Sequence, residues 1–565
     1  MICTVTDNAD LPLQLGGFSG LRHALDYAAK GQTGINFHDA RGNLIESLDY
    51  AGLRRNAITV ALRLRAMGLR HGDRLALIAD TSAAFLSVFY GAQYAGVVPC
   101  PLPYQALPGG REAYVARLSA LLVASGASWL LSPRATFACC ETAAAVDVQV
   151  LPLEAMADAA VTSATELPPV AADVPAYIQF SSGSTATPKG VVVRQQALMA
   201  NADAIAVHGL RMRAGDRACS WLPLYHDMGL VGFSVVAMCA QRSVDYLPSQ
   251  VFAARPLAWL ELMSRQRSSI VYAPSFAWRL AAQRYPSMAT GIDLSALRVA
   301  GVGGDQVRNE DLCAFSQALA PAGFRHSAFQ PSYGLAEATL AVSMGALDDV
   351  PRLERMHDAA SGGDVRTLLG CGRPLPGTEV RILDDAGAAL PERSIGRLWV
   401  RGPAVMERYL HDDDGRGLPR ADGFLDTGDL GYLLDGELFI SGRAKDLIVV
   451  RGRNLWPQDI ETVAATAAAL ATTDVAALGI ERGGEERVVV LAECGVDADH
   501  HHQQLREQIG DALSTSFGIR AEVVMLPRRS LPFTTSGKLA RAQAKTKYLA
   551  GHWAYAVVND REKIC

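Results

Sequence analysis

Apolar positions along this chain fall into short buried runs that alternate with longer, helix-like stretches. "RLALIAD" (Arg74 to Asp80) reads as a buried strand, and the following "SAAFLSVFYGAQYAGVVPCPL" reads as a helix running into a second strand. The same pattern returns in "WLLSPR", "AYIQF", "SSIVYAP" and "LRVAGVGG". Strands that alternate with helices predict parallel α/β layers, so the expected fold class is α/β. From about Gly372 to Gly442 the pattern changes to short β-rich pieces, "EVRILDD", "GRLWVRG" and "GELFISG", set between Gly, Pro and Asp turns. These predict a small barrel or antiparallel sheet. Beyond "GRAKDLIVVRGRN" an Ala-rich helix (Ile460 to Ala471), the strands "VAALGI" and "RVVVLAEC", another helix, "AEVVMLP" and a basic tail make a compact α+β unit of ordinary domain size. The boundary is placed at Arg443 to Asp446.

Length and composition narrow the class further. A chain of 565 residues is too long for one hydrophobic core, so at least two domains, and more plausibly three or four subdomains, are expected. No internal repeat or long low-complexity linker interrupts it. No apolar run reaches roughly 18 residues, so no membrane span is expected. The start, Met1 to Asn8, lacks the basic and apolar regions of a signal peptide, which makes the cytoplasm the default location. A net charge of −5 with dispersed cations gives no electrostatic reason to invoke nucleic acid. The ten cysteines form no CxxC pairs and read as reduced, mostly buried thiols. The run His500-His501-His502 reads as a solvated loop rather than a metal site, since only Asp497 and Asp499 accompany it.

The candidate chemistry begins at "YIQFSSGSTATPKGVVV" (Tyr177 to Val193). A strand feeding a loop rich in glycine and hydroxyls, with one lysine, can turn backbone N–H groups, hydroxyls and an ammonium toward a polyphosphate. It is not a Walker A loop, because Pro188 precedes Lys189 and Gly190 follows it, where that motif needs Ser or Thr. "SYGLAEATL" (Ser332 to Leu340) places one carboxylate, Glu337, beyond a strand end. "DTGDLGYLLDGELFISGRAKD" (Asp426 to Asp446) supplies Asp429 and Arg443, a carboxylate suited to paired ribose hydroxyls and a guanidinium beside it. "TTSGKLAR" (Thr534 to Arg541) carries Lys538.

These four pieces, in this order, resemble the adenylate-forming superfamily of acyl-CoA synthetases, luciferases and peptide-synthetase adenylation domains, over essentially the whole chain. "WLPLYHDMGLVGF" (Trp221 to Phe233), "YGLAEATLAVS", "GRAKDLIVVRGRNLWPQDIE" and "TTSGKLARAQAKTKYL" are more similar still to the fatty acyl-AMP ligases. That resemblance implies an N-terminal adenylation domain, 1–443, built from α/β subdomains at about 1–175 and 176–345 and a β-rich subdomain at 346–442. It also implies a hinge at 443–446 and a mobile C-terminal lid, 446–565.

The implied reaction joins a fatty acid to ATP with Mg²⁺, releases pyrophosphate, and passes the acyl group to the phosphopantetheine arm of a separate acyl carrier protein, in lipid, polyketide or nonribosomal peptide synthesis. A fatty carboxylate is ionised at neutral pH and needs no general base. Each like-charge pair with the triphosphate at about 4 Å costs on the order of 4 kcal/mol at an effective dielectric of 20, so cations and donors must offset the approach. The resemblance assigns Ser181, Ser182, Gly183, Ser184, Thr185 and Lys189 to the phosphates, and Glu337 with Ser184 or Thr185 to Mg²⁺. It sets Tyr333 and Gly334 against adenine, Gly303, Gly304 and Asp305 at the base edge, and Asp429 with Arg443 at the ribose. Lys538 is implied as the residue that meets the carboxylate and α-phosphate, His226 as a neighbour of the acyl carboxylate, and Lys445 as the hinge. Met228, Gly229, Val231, Phe276 and Trp278 would line the acyl pocket; "SSIVYAPSFAWRLAA" has no carboxylate to hold an amino-acid ammonium.

Two departures stand out. The stretch Leu340 to Gly370, where relatives carry an insertion held to oppose coenzyme A use, is short here, and "GVGGDQV" replaces the more common "GAEP". A fatty acyl-CoA synthetase is therefore the first alternative. A non-catalytic acyl- or nucleotide-binding scaffold is the second, and a P-loop phosphotransferase the third, weakened by Gly190. No Asp-Ser-Leu-type carrier site occurs in the chain, and a monomer or weak dimer is expected.

Overall fold

The computed structural model describes residues 11–104, 110–156, 167, 174–181, 188–285, 291–357, 365–411, 418–450, 453–482, 485–495, 499–533 and 539–553. By its contacts the chain divides into a first unit, Met1–Leu353, Leu369–Thr427 and Gly431–Ile440, and a second, Glu354–Leu368, Gly428–Leu430 and Ser441–Cys565.

Two parallel sheets organise the first unit. One has four parallel strands in the order Val98–Pro103, Arg74–Ala79, Trp129–Ser132, Gln149–Pro152. The other has nine strands. Its centre is parallel, running Phe329–Gly334, Val299–Val302, Ile270–Ala273, Arg217–Ser220, Ser243–Tyr246, Gly34–His38, and antiparallel strands close both edges. Strands buried on both faces are largely apolar, which is why Arg74–Ala79, Ile270–Ala273 and Val299–Val302 read as hydrophobic runs; the buried Asn36, His38 and Asp245 in neighbouring strands are hydrogen-bonded to one another instead. The α/β alternation legible in the sequence is present here. "AYIQF" is different: Pro175–Ser181 pairs antiparallel with Lys189–Arg194 and forms a separate hairpin.

Local signals set the element ends. Helix Ala83–Ala95 is capped by Ser82, whose Oγ accepts from Phe85 N at 3.1 Å, and stops at Gly96 in the left-handed region, φ 70°. The β-rich stretch forms a four-stranded sheet, Glu379–Leu383, Gly396–Arg401, Leu425–Leu434 and Glu437–Arg443, the first two strands antiparallel. Within the segment marked as a short insertion, Leu353–His357 and Val365–Leu369 pair as a two-stranded ribbon.

In the second unit a three-stranded sheet, Val475–Arg482, Glu485–Cys494 and Ala521–Pro527, is covered on both faces. Val475 and Ala477 pack with Ile460, Ile509 and Leu513, while Ala476, Leu478 and Ile480 pack with Ala544, Tyr548 and Trp553. The Ala-rich helix spans Pro457–Ala467 rather than 460–471. Pro457 suits the first helical turn, where its missing N–H costs nothing, and Ala469 turns left-handed at φ 51°, which ends the helix early. The histidine run is also not a loop. It begins helix Asp499–Phe517, and His502 Nε2 lies 3.1 Å from Cys494 Sγ. The described cysteines are free, and most are buried. Among the described residues no helix is long and apolar enough to cross a membrane.

Asp80 ends strand Arg74–Ala79, and burial pushes its carboxyl up to about 6 despite the hydrogen bond from Ser82 Oγ at 2.9 Å. The folded state therefore holds this proton more tightly than the unfolded chain, so stability falls as pH rises from about 4 to about 6, and the cost persists above that. Asp80→Asn is expected to raise the free energy of unfolding at neutral pH by up to about 3 kcal/mol, and with it the melting temperature, and to change little near pH 4. Thermal melts of both proteins across this range check it.

Candidate active site

The hairpin flanking the loop expected to meet phosphate opens the candidate site. Across its ladder Ser181 faces Lys189 and Phe180 faces Gly190. Of the loop itself, Ser182, Gly183, Ser184 and Thr185 lie outside the described residues, as does Lys538. Gly190 has a packing reason as well as a diagnostic one: a Cβ there would lie 2.9 Å from Ile178 Cγ2 and 3.1 Å from the Phe180 ring.

A third segment joins this hairpin. Leu410 N donates to Gly190 O at 2.7 Å, Val192 N donates to Arg408 O at 3.3 Å, and Tyr409 bridges Val191. Arg194 pairs with Glu407 at the same edge. The pairing fixes Tyr409, which is buried, between two charged groups. Its ring meets the exposed Lys189 ammonium, with Nζ 4.8 Å from the centroid, and its hydroxyl donates to Glu337 Oε1 at 2.8 Å.

Glu337 sits in the single turn Ala336–Ala338 that follows strand Phe329–Gly334. Its carbonyl accepts from Met406 N at 2.7 Å, and Thr339 Oγ1 donates to Ala404 O at 2.7 Å, so the turn is tied twice to the segment that carries Tyr409. Thr339 adopts φ 68°, ψ −58°, an unusual conformation for a β-branched residue that costs roughly 1–3 kcal/mol and is held by these bonds. A Cβ on Gly334 would lie 1.8 Å from Leu340 O, so only glycine fits there.

Tyr333 lies on the same strand, is buried, and pairs with Ser343. Gly303 and Gly304 follow the adjacent strand Val299–Val302; Gly304 has φ 84°, and a Cβ on it would sit 3.3 Å from Met228 Cε. Asp305 Oδ1 accepts from Ser275 N at 3.0 Å, at the start of helix Ser275–Arg284, which anchors the loop to that helix. The structure thus brings Gly304 and Met228 together.

His226 precedes the short turn Asp227–Gly229, its Nδ1 2.5 Å from Asp227 Oδ1, which also accepts from Met228 N at 2.7 Å. Gln179, on strand Pro175–Ser181, donates from Nε2 to Tyr225 O at 2.8 Å and so links that strand to the histidine turn. Burial, with Asp227 nearby, drives the Tyr177 hydroxyl well above its ordinary range. Of the acyl-pocket candidates, Phe276 keeps some exposure and stands 6.3 Å from the Trp221 ring. Val231 and Trp278 have no exposed surface, and Trp278 packs among Trp259, Phe315 and Phe329 at 4.9–5.1 Å.

In the second unit Arg443 Nε lies 3.0 Å from Asp429 Oδ1; the aspartate is buried and the arginine exposed. Lys445 is exposed in the turn Ala444–Asp446. Among the described residues no group of three or more His, Cys, Asp or Glu could hold a metal by itself. A half-buried Glu337 with one oxygen held by a phenol suits Mg²⁺, which typically takes one or two protein carboxylates and completes its shell with phosphates and water. Tyr409 was missed in the sequence because its importance comes from pairing with a strand far back in the chain. Gln179 and Asp227 lay inside recognised motifs, but their roles depend on contacts that no spacing reveals.

A family model described as AMP-binding enzyme matches residues 30–410. The chain belongs to the AMP-binding, adenylate-forming enzymes. Relatives of this adenylate-forming enzyme match along nearly its whole length. A Caulobacter vibrioides protein, provisionally named as an acyl-CoA synthetase, is 44% identical over 96% of this chain and 97% of its own. The medium-chain-fatty-acid–[acyl-carrier-protein] ligase JamA of Moorena producens is 30% identical over 90% of each. A solved structure from a study of fatty acyl-adenylate ligases from E. coli and L. pneumophila superposes with a TM-score of 0.91 at 36% identity, covering 96% of this chain and all of that one. The family resemblance read from the motifs is thus established, and with it the adenylation-domain fold and a ligase that uses ATP.

Gly229 cannot accept a side chain without moving backbone, since a Cβ would lie 2.2 Å from Pro223 O. Gly229→Ala is expected to displace the His226 turn and, if that turn meets the acyl carboxylate as the motif resemblance implies, to slow adenylate formation by about a hundredfold, the usual cost of small misplacements beside reacting groups. Single-turnover measurement of adenylate on folded protein checks it.

Proposed function

We propose that this enzyme activates a fatty acid as its acyl-adenylate and then transfers the acyl group to the phosphopantetheine arm of a separate carrier protein. The observation that carries the first half is the row Lys189, Tyr409, Glu337, a cation and a carboxylate set apart beside the loop that the family uses for phosphates. In this reading a fatty carboxylate oxygen bonds to the α-phosphorus of ATP, the bond to the bridging oxygen breaks, and pyrophosphate leaves. Lys189 and the loop residues Ser181 to Thr185 hold the departing phosphates, and Glu337 with Ser184 or Thr185 holds Mg²⁺. When bound, the metal neutralises phosphate charge. Lys538 stabilises the charge shared by carboxylate and α-phosphate, and His226, oriented by Asp227, faces the acyl carboxylate. Tyr333 with Gly334, and the Gly303 to Asp305 loop, serve adenine, while Asp429 with Arg443 serves the ribose. Rotation about Lys445 exchanges the adenylation and transfer states.

The fatty acid is supported by the apolar surroundings of Met228 and Phe276 and by the names of the fatty acyl relatives. The carrier as acceptor is supported by JamA and by the adenylate-ligase neighbour. A second reading, transfer to free coenzyme A, is favoured by the 44% identical relative's name and by the short insertion.

Purified protein given ATP, Mg²⁺ and a panel of medium- and long-chain acids, then either coenzyme A or a phosphopantetheinylated carrier, separates these readings by mass spectrometry. Acyl-adenylate plus loaded carrier with little acyl-CoA is expected; abundant acyl-CoA would favour the second reading, and no adenylate with any acid would leave a binding scaffold. Lys538→Ala is expected to lower adenylate formation by about 10² to 10³-fold, the usual loss for one charge-stabilising group, with an unchanged melting temperature.

A further inference from the structure

We infer that Tyr409 is a positioning residue that keeps the phosphate-binding cation and the metal-binding carboxylate of this site from neutralising each other. The inference rests on the roles proposed above for Lys189 and Glu337. Both touch the same tyrosine side chain, and an ammonium and a carboxylate that share one neighbour attract each other across it. Such a pair would occupy the metal's ligand and the phosphate's cation at once. Tyr409 gives each group a different partner: the ring takes the ammonium at 4.8 Å, and the hydroxyl donates to Oε1 at 2.8 Å.

The two contacts respond differently to nucleotide. A cation–π contact at an exposed lysine is weak, and a polyphosphate attracts the ammonium more strongly, so Lys189 leaves the ring when ATP arrives. The hydroxyl bond to Glu337 has no such competitor; it fixes one carboxylate oxygen and would leave the other available to a bound metal. Hydrogen bonds of this kind to a ligating carboxylate commonly support metal affinity by about 10–100-fold. The ring itself is held by backbone: Leu410 N on Gly190 O, Tyr409 against Val191, and Met406 N on Glu337 O. One short segment therefore positions the loop's lysine and the glutamate together.

The test is ATP binding to the full-length protein by titration calorimetry, without fatty acid, over a range of Mg²⁺. Tyr409→Phe keeps the ring and removes the hydroxyl. It is expected to raise the Mg²⁺ needed for half-maximal binding by roughly tenfold while metal-free ATP affinity and melting temperature stay close to wild type. Tyr409→Leu removes both contacts and lets Lys189 pair with Glu337. It is expected to weaken metal-free ATP binding as well, and adding Lys189→Ala to it should cost little more, since both changes remove the same cation. Unchanged Mg²⁺ dependence in Tyr409→Phe, or losses that multiply in the double variant, would overturn the inference. If wild-type protein binds no ATP, the adenylation reading fails first; wild-type binding with an indifferent Tyr409→Phe overturns this inference alone.

Discussion

Pairing of the 406–410 segment with strand Lys189–Arg194 is the contact on which the first unit's site depends. Two hydrogen bonds to that strand, Leu410 N to Gly190 O and Val192 N to Arg408 O, place Tyr409 beside the lysine. Two more, from Met406 N and Thr339 Oγ1, hold the turn that carries Glu337, including its strained Thr339. Three stretches distant in sequence thus meet through backbone, and side-chain chemistry is laid over a frame already fixed. Gly190 and Gly334 belong to that frame: a Cβ would crowd the Ile178 and Phe180 side chains at the first and the backbone of Leu340 at the second.

The same economy appears at the histidine turn. Gln179 and Lys189 belong to the two strands of one hairpin, and Gln179 reaches Tyr225 O, so the position of His226 is coupled to strand Pro175–Ser181. Asp227 accepts from both His226 Nδ1 and Met228 N, which sets ring and main chain with one carboxylate. Gly304, left-handed, lies under Met228 and continues the contact to the loop after strand Val299–Val302. Elements that could each be read as ordinary turns form a connected floor.

Much of the fold was legible in sequence because its causes are local. Runs such as "RLALIAD" and "LRVAGVGG" are largely apolar because both faces of a parallel sheet are covered, and the helix read after the first of them is present as Ala83–Ala95, leading into strand Val98–Pro103. Errors came where long-range contacts overrule local pattern. The antiparallel partner of Pro175–Ser181 is not implied by its composition, the histidine run lies in a helix where His502 meets Cys494, and an early left-handed turn shortens the Ala-rich helix. In the site, motif residues were visible as motifs. Tyr409 was not, because "GPAVMERYL" has no feature that points to Lys189 or Glu337; only the pairing of this segment with Lys189–Arg194 does that.

The central claim, that this frame serves reversible joining of a fatty carboxylate to the α-phosphate of ATP, is tested most directly by exchange of labelled pyrophosphate into ATP. The account predicts rapid exchange that requires both Mg²⁺ and a fatty acid. Absence of exchange with every acid, or label loss through acid-independent hydrolysis of ATP to ADP, would contradict it.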